Sequence, residues 1–236
     1  MNISEKEREL IKKFLIKVPL FRNFSDDHLD QVVDDFKVIS VKQGDDIVFQ
    51  SDEGTDLYIV IKGKVKVSLL GSDGNEFVLA SLKQGDFFGE MSLIDGRARS
   101  ANVVAEEETV LGALNRGIFL NTMKQKPSIA FDLLSALVER LRKTDDMIET
   151  LAFLDVSERL VKLLVQSAQK DGDMDEDGFY RTEKRTHLDL ASNIGSSREA
   201  VSKALKVLYH KQIIVKKGNY FLIAPDVCDE MGNINF

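Results

Sequence analysis

The stretch 57-LYIVIKGKVKVSLL-70 decides the fold of the first part of this 236-residue chain. Apolar and polar residues alternate along it, which is the period-2 pattern of a strand with one buried face. Between about residue 38 and residue 115, further runs of this kind are punctuated by glycines and other turn residues. Several short strands with near-regular turn signals predict a β-roll of jelly-roll-like type. Residues 4–37 before it predict short helices.

Helical periodicity replaces the strand pattern after Pro127 and continues to about Leu154. Apolar residues there follow a 3-4-3-4-3 spacing, typical of the a/d seam of a parallel dimer of helices. The seam positions are Leu134, Leu137, Leu141, Thr144, Ile148 and Leu151. The alternative is an ordinary helix packed on its own sheet. We predict an α+β chain with a β-roll domain over 1–126, a dimerisation helix over 127–154 and a further domain over 155–236.

Cysteine and histidine are scarce, with Cys228 as the single cysteine and with three scattered histidines, His28, His187 and His210. One thiol cannot hold an iron–sulfur cluster, and the histidine spacing fits no zinc site. No segment approaches the roughly 20 apolar residues that a spanning helix needs, and the N-terminus lacks the apolar core of a signal peptide. We expect no metal, no haem, no contact with a membrane and a cytoplasmic location.

The net charge of −7 is unevenly distributed along the chain. Between Phe179 and Leu222, nine lysines and arginines stand against three acidic residues, so this segment carries +6 and the remainder carries −13. A basic module on an acidic body is typical of local DNA binding. Charge alone is equally compatible with an ordinary solvated surface.

The stretch 87-FFGEMSLIDGRARSA-101 carries the residue types of an anion site. Gly89 permits close approach of the backbone and precedes a predicted short helix whose free amides attract an anion. Arg99 offers a guanidinium that binds phosphate oxygens in pairs, and Ser100 adds a hydroxyl. Glu90 is an acid where an anion is expected, which makes chemical sense if it accepts a hydrogen bond from a sugar hydroxyl. The pattern predicts a nucleotide site, and the alternative is a salt bridge between Arg99 and Glu90.

A second motif lies in 186-THLDLASNIGSSREAVSKALKVL-208, which predicts two short helices separated by Gly195. Ser196 or Ser197 is placed to cap the second helix. The segment 212-QIIVKKGNYFLI-223 then predicts a small hairpin, so the C-terminal domain is expected to be a winged helix-turn-helix. An acidic loop over 171–178 precedes it. Its aspartates alternate without the full pattern of a calcium loop, which favours a flexible connector.

Taken in this order, the motifs resemble the Crp–Fnr family of transcription regulators from about Leu20 to Ile223, and within it the cAMP-responsive catabolite activators. The resemblance implies a homodimer that binds a TGTGA-like inverted repeat under control of a cyclic nucleotide, and it implies RNA polymerase as a partner. The implied ligand-binding residues are Gly89, Glu90, Met91, Ser92, Arg99, Ser100, Thr144 and Asp145. The implied DNA-binding residues are Thr186, His187, Ser197, Arg198, Glu199 and Lys203.

The resemblance also assigns roles within the ligand site. Glu90 would hold the ribose 2′-hydroxyl, while Arg99, Ser100 and the amides near Gly89 would hold the cyclic phosphate. Thr144 and the next residue would meet the base across the dimer, but Asp145 stands where the catabolite activators have serine. A carboxylate accepts well from the adjacent N1–H and N2–H donors of guanine and less well from adenine. The prediction is cAMP as allosteric ligand, with cGMP as the alternative and a larger dinucleotide as a distant third.

In the DNA reader, the resemblance places Arg198 on guanine O6 and N7 and Glu199 on cytosine N4. Thr186, His187 and Ser197 would contact phosphates. Lys203 stands where the catabolite activators have arginine, so its contact lacks the bidentate geometry of a guanidinium.

Other members of the family sense haem, iron–sulfur clusters or 2-oxoglutarate. The scarcity of cysteine and histidine disfavours the first two ligands, and the intact cassette of Glu90 and Arg99 disfavours the third. A metal enzyme on a cupin-like barrel is a rival from another class, but metal ligands and catalytic triads are missing, so we expect no enzymatic activity. A second rival is a regulatory subunit that binds cyclic nucleotide and controls a protein partner, which the basic module with Arg198 and Glu199 disfavours.

Overall fold

The structure is a computed structural model that describes residues 5–171, 174–224 and 226–227. The chain folds as two compact units, which are taken one at a time. The first comprises Met1–Leu69 and Leu79–Lys143, and the second comprises Leu70–Val78 and Thr144–Phe236. No helix within the described ranges is long and apolar enough to cross a membrane.

The first unit combines short helices with two sheets. Its helices are α1 (Glu5–Leu15), α2 (Asp26–Asp34), α3 (Glu90–Asp95), α4 (Arg116–Gln125) and the first part of α5 (Ser128–Phe153). Its strands are β1 (Lys37–Val41), β2 (Asp46–Val48), β3 (Leu57–Lys62), β4 (Lys64–Leu70), β5 (Glu76–Lys83), β6 (Phe87–Phe88), β7 (Asn102–Ala105) and β8 (Thr109–Leu114), of which β4 and β5 run into the second unit. The strands form two four-stranded sheets, ordered β1-β8-β3-β6 and β2-β7-β4-β5. The short helices expected before the β-roll are confirmed.

Strand β3 is covered on both faces. Leu57 and Ile59 are fully buried and belong to the apolar cluster that the short helices cover. Val60 points into a second cluster, to which both sheets contribute. The buried members of this second cluster are Val48, Val60, Val65, Phe88, Val103 and Leu111. Because both faces of β3 are covered, the sheet is fixed between the helices and the opposite sheet.

The long helix α5 lies within the predicted segment 127–154 and buries only Ile129 and Leu133. Of the predicted seam, Leu134, Leu141, Ile148 and Leu151 are exposed. Leu137 differs from the expectation, since it is partly buried against the core of the first unit. Two exposed apolar residues next to the predicted seam, Phe131 and Val138, precede Leu134 and Leu141 by three residues each. The exposed stripe therefore starts one turn earlier than the sequence pattern indicated.

The second unit contains the last part of α5 and a helical bundle with a small sheet. Its further elements are α6 (Val156–Asp171), β9 (Tyr180–Glu183), α7 (His187–Ile194), α8 (Arg198–His210), β10 (Ile214–Lys217) and β11 (Tyr220–Ile223). The strands form an antiparallel sheet ordered β10-β11-β9. Apolar residues of α6, α7, α8 and the sheet share one core, in which Leu160, Leu190 and Val201 are fully buried. The expected winged helix-turn-helix and the α+β fold class are confirmed.

The described part of the acidic segment before β9 forms a hydrogen-bonded turn, whereas its composition favoured a flexible connector. Met174 pairs with Tyr180 across a bridge, and the carboxylate of Asp175 accepts hydrogen bonds from the amides of Asp177 and Phe179. These bonds lower the pKa of Asp175, chiefly through the amide of Phe179. Residues 174–180 thus form a closed turn, because the carboxylate of Asp175 accepts from two of its backbone amides. Gly172 and Asp173 of the predicted loop lie outside the described residues.

Candidate ligand and nucleic-acid sites

Gly89 sets the geometry of the cassette in the first unit. It ends β6, caps α3 and has the left-handed dihedral angles φ 85° and ψ 4°. A Cβ atom here would lie 2.5 Å from Nη1 of Arg99 and 2.7 Å from the carbonyl oxygen of Asp56. Glycine is therefore required both for the turn and for the close approach of the arginine.

Arg99 is a buried cation that backbone carbonyl groups hold in place. Only 7% of the residue is exposed. Its Nη1 donates to the carbonyl of Gly89 at 3.1 Å, and its Nη2 donates to the carbonyl of Asp56 at 2.9 Å. The guanidinium also lies 5.7 Å from the ring centroid of Tyr58. Both described bonds go to neutral oxygens, so the charge is oriented without an ion pair among the described residues and favours an anion beside it.

Glu90 is buried even more deeply, with 4% of the residue exposed. Its Oε1 accepts a hydrogen bond from Nη1 of Arg140 on α5, at 2.7 Å. Its Oε2 is buried and has no hydrogen-bond partner among the described residues. A buried acceptor of this kind costs about 1–3 kcal/mol unless a donor reaches it. A ribose carries a free hydroxyl, which can donate a hydrogen bond to Oε2 of Glu90. The alternative of a salt bridge between Arg99 and Glu90 is wrong, because Arg140 takes that place.

Arg140 is the residue of this site that sequence reasoning missed. Besides binding Glu90, it donates through Nη2 to the carbonyl of Phe87, and its guanidinium lies 4.8 Å from the centroid of that ring. Fifty positions separate Arg140 from Glu90 along the chain. The only signal in the sequence was a cation between the predicted seam positions Leu137 and Leu141.

The remaining cassette residues are chain neighbours of Glu90 and Arg99. Ser92 is buried in α3, whereas Met91 and Ser100 are exposed. The hydroxyl of Ser100 donates to the sulfur of Met91, with 3.4 Å between Oγ and Sδ. The structure thus brings six of the predicted ligand residues together, from Gly89 to Ser92 and at Arg99 and Ser100. Thr144 and Asp145 are exposed on the part of α5 that belongs to the second unit, and their predicted contact with the ligand stays a prediction.

In the second unit, local hydrogen bonds shape the helix-turn-helix. The Thr186 side chain accepts from the amide of Asp189, whose carboxylate accepts from the amide of Thr186, so the pair forms a capping box at the start of α7. Gly195 ends α7 with φ 60°, and the Ser197 side chain caps α8 by accepting from the amide of Ala200. Of the two serines proposed as caps, Ser197 takes the role.

The first turns of α8 carry the predicted reading residues. Arg198, Glu199 and Lys203 are all exposed there. The Ser202 hydroxyl donates to the carbonyl of Arg198 at 2.9 Å, so in its 2.8 Å contact with His187 the imidazole Nδ1 is the donor. His187 at the start of α7 is thereby fixed against α8, on the side that carries the exposed charges.

Two further features of the reader were not found from the sequence. Arg159 on α6 donates to the carbonyls of Ile194 and Gly195, at 2.8 and 3.3 Å, and so holds the turn between α7 and α8. Lys184 lies directly after β9, and the side chain and the charge of Lys216 lower its pKa. Two neighbouring lysines of this kind add to a local positive potential, which favours phosphate.

Comparison with known proteins assigns a family to each of the two regions that carry the candidate sites. The family model described as "Cyclic nucleotide-binding domain" matches residues 38–126, and the one described as "Crp-like helix-turn-helix domain" matches residues 158–227. The cyclic AMP receptor protein of Thermus thermophilus is 34% identical over 196 residues, which cover 83% of this chain and 88% of that protein. A CRP-like cAMP-activated global transcriptional regulator of Mycobacterium tuberculosis is 29% identical and covers 90% and 95% of the two chains.

Among solved structures, a similar fold occurs in the c-di-GMP responsive global regulator CLP of Xanthomonas campestris. The TM-score is 0.74 at 23% identity, and the match covers 84% of this chain and 99% of that chain. At this identity the likeness concerns the fold alone.

Proposed function

Because this chain belongs to the Crp/Fnr family of transcription regulators, we propose that it is a homodimer whose binding to DNA is switched on by cAMP. The chain is a Crp-like, cyclic-nucleotide-binding transcription regulator, and this is a family of non-enzymes. The identity of the nucleotide, the DNA sequence and the homodimer are our proposal. We further propose that RNA polymerase is a partner and that the protein acts in the cytoplasm, where chromosomal DNA lies.

One observation supports the ligand site above all others, namely that Oε2 of the buried Glu90 has no partner among the described residues while the same cassette holds the buried cation of Arg99. A cyclic nucleotide supplies both missing partners, since its 2′-hydroxyl is a donor and its phosphate carries one negative charge. Glu90 and Arg99 would then hold the ribose and the phosphate, with the hydroxyl of Ser100 as a further donor. Arg140 would link the occupied site to α5, because it already binds Glu90.

The residues expected near the base of the ligand are compatible with both adenine and guanine. The Thr144 hydroxyl and a single carboxylate at Asp145 suit adenine, whose amino group donates to an acceptor. The same carboxylate also suits the two adjacent donors of guanine. We propose cAMP, and the specific observation in favour of cGMP is the aspartate at position 145.

The first test is calorimetric titration with cAMP and with cGMP side by side. Tighter binding of cAMP would support the proposal, and tighter binding of cGMP would make Asp145 a guanine reader. Arg99→Ala removes two charge-assisted bonds to phosphate and is expected to weaken binding by about 100-fold. Arg97→Ala is the matched control, because Arg97 lies two residues away in the same segment and is exposed. Equal affinities of the two variants would overturn the site.

The dimer proposal is supported by the exposed apolar stripe on α5, in which Leu134 and Leu141 are more than half exposed. Isolated apolar residues on a surface are ordinary, but a stripe at heptad spacing needs a partner. Leu141→Lys is expected to shift the sedimentation coefficient to that of a monomer. Val207→Lys, at an exposed apolar residue of α8, is the control and should leave the dimer intact. A monomeric wild-type protein at micromolar concentration would contradict the proposal.

In the proposed complex with DNA, α8 enters the major groove, Arg198 binds guanine and Glu199 accepts from cytosine. Lys203 reads the next position, and Thr186, His187 and Ser197 lie at phosphates. Ligand binding shifts the population toward the state whose two reading helices face successive major grooves, so ligand and DNA affinities rise together.

Gel retardation on a duplex with a TGTGA inverted repeat tests this reader. Saturating cAMP should strengthen binding, and Arg198→Ala should weaken it by about 1–3 kcal/mol with relaxed preference at the contacted guanine. Arg198→Lys keeps the charge and loses the bidentate geometry, so it separates base reading from attraction to phosphate. Failure to retard any such duplex with ligand bound would favour a regulatory subunit that controls a protein partner.

A further inference from the structure

The contact between Met91 and Ser100 lies in the cassette that we propose for the cyclic phosphate. The hydroxyl of Ser100 donates to Sδ of Met91, with 3.4 Å between the two atoms. A thioether is a weak acceptor, so an incoming phosphate displaces this bond at little cost. The contact therefore keeps the hydroxyl of Ser100 close to the proposed phosphate position, where it can turn from the sulfur to the ligand.

Met91 is also open to solvent, with 52% of the residue exposed. Oxidation of methionine follows exposure, and it converts a flexible apolar side chain into a polar sulfoxide that reductases restore. Met174 in the second unit is exposed to almost the same extent, at 50%, and takes no part in the cassette. The chain thus contains its own matched control for the reactivity of Met91.

We propose that Met91 is an oxidation site and that its conversion to the sulfoxide by peroxide weakens the binding of the cyclic nucleotide. The inference rests on the proposed ligand site and adds its regulation. In the reaction a sulfur lone pair attacks one peroxide oxygen and the O–O bond breaks. The S–O bond forms, and the second oxygen leaves as water after proton transfer. The sulfur is oxidised by two electrons, and peroxide is reduced to water.

The sulfoxide oxygen acts on the site in two ways. It is a stronger acceptor than the thioether, so it retains the hydroxyl of Ser100 that the phosphate would otherwise bind. Its partial negative charge also lies next to the position of an anionic ligand. Both effects disfavour the bound state, whereas the buried bonds of Arg99 and Glu90 stay as they are.

The test treats the ligand-free protein with dilute hydrogen peroxide, maps sulfoxides by mass spectrometry and measures affinity for the better-binding nucleotide, cAMP or cGMP, by calorimetry. Treated wild type should bind about tenfold more weakly than untreated wild type, the loss expected for one hydrogen bond to a charged group. Met91→Leu should keep its own untreated affinity after treatment. Met174→Leu should lose affinity as the wild type does, and methionine sulfoxide reductases should restore the wild-type value.

Two results would overturn the inference, namely oxidation of Met174 without oxidation of Met91, or a sulfoxide at Met91 with unchanged affinity. Saturating nucleotide should slow the oxidation of Met91 and leave that of Met174 unaltered, and equal rates with and without ligand would contradict the assigned place of Met91. If the untreated protein binds neither cAMP nor cGMP, the proposed function fails and this inference fails with it.

Discussion

In the proposed ligand site, Glu90 and Arg99 are almost fully buried, whereas in the proposed DNA reader the charged residues Arg198, Glu199 and Lys203 are exposed. The ligand site gains its charge pairing from distant segments, since Arg140 is fifty residues from Glu90. The helix caps of the reader are formed by hydrogen bonds between residues three positions apart, and the more distant Arg159 holds the turn between its two helices. A site for a small ligand must desolvate its charges, while a reader must present its charges to a partner.

Removal of Arg140 should give the largest effect, because it leaves Glu90 buried without its only described partner. A buried acceptor left without its donor costs about 1–3 kcal/mol, and more if it is charged; because the side chain of Arg140 is 34% exposed, the loss stays below that of a fully buried pair. Arg140→Ala is therefore expected to lower the urea midpoint of the first unit strongly. The double variant Glu90→Gln with Arg140→Ala should recover part of the loss, since a neutral amide is easier to bury. Equal stability of the single variant and the wild type would show that the pair is not buried in solution.

A cap in the reader should have a smaller effect that stays within the second unit. Ser197→Ala removes the hydroxyl that accepts from the amide of Ala200, which costs about 1 kcal/mol. Ser196→Ala, one residue earlier and outside the cap, should change thermal unfolding by much less. Calorimetric affinity for the nucleotide should be the same in both variants. If Ser196→Ala lowered the unfolding temperature as much as Ser197→Ala does, the loss could not be assigned to the hydrogen bond of the Ser197 cap.

The smallest effect is expected at a half-buried charge cluster of the first unit, which offers a comparison with the pair of Glu90 and Arg140. Lys12 and Arg8 bind Asp30, and these hydrogen bonds lower the pKa of that carboxyl. The pairing therefore stabilises the fold above the unfolded pKa of about 3.9, and this contribution is lost as pH falls through the lower folded pKa.

Unfolding by urea between pH 7 and pH 2 would measure this contribution, with Asp30→Asn as the comparison. The wild type should lose more stability than the variant on acidification, and the difference should shrink in high salt because Arg8 and Asp30 are partly open to solvent. Parallel curves for the two proteins would show that the cluster contributes nothing measurable.

Much of the fold was predictable because its signals are local. The alternation in Leu57–Leu70 predicted the strands, the spacing after Pro127 predicted α5, and Gly195 with Ser197 marked the turn and cap of the reader. The acidic segment shows the limit of this reasoning, since its composition favoured a flexible connector. One side chain, Asp175, closes it into a turn by accepting two amides, and composition carries no information about such bonds.

The sequence by itself determined the order of elements, the family and the residue types of the cassette and the reader. Periodicity, caps and motif spacing act over a few residues, so they can be read along the chain. Only the tertiary structure decided that Glu90 pairs with Arg140, that its Oε2 is buried without a partner in the described part of the chain and that Arg159 holds the turn of the reader. These facts depend on contacts between segments far apart in sequence and on the exclusion of water around them, and neither follows from the local pattern.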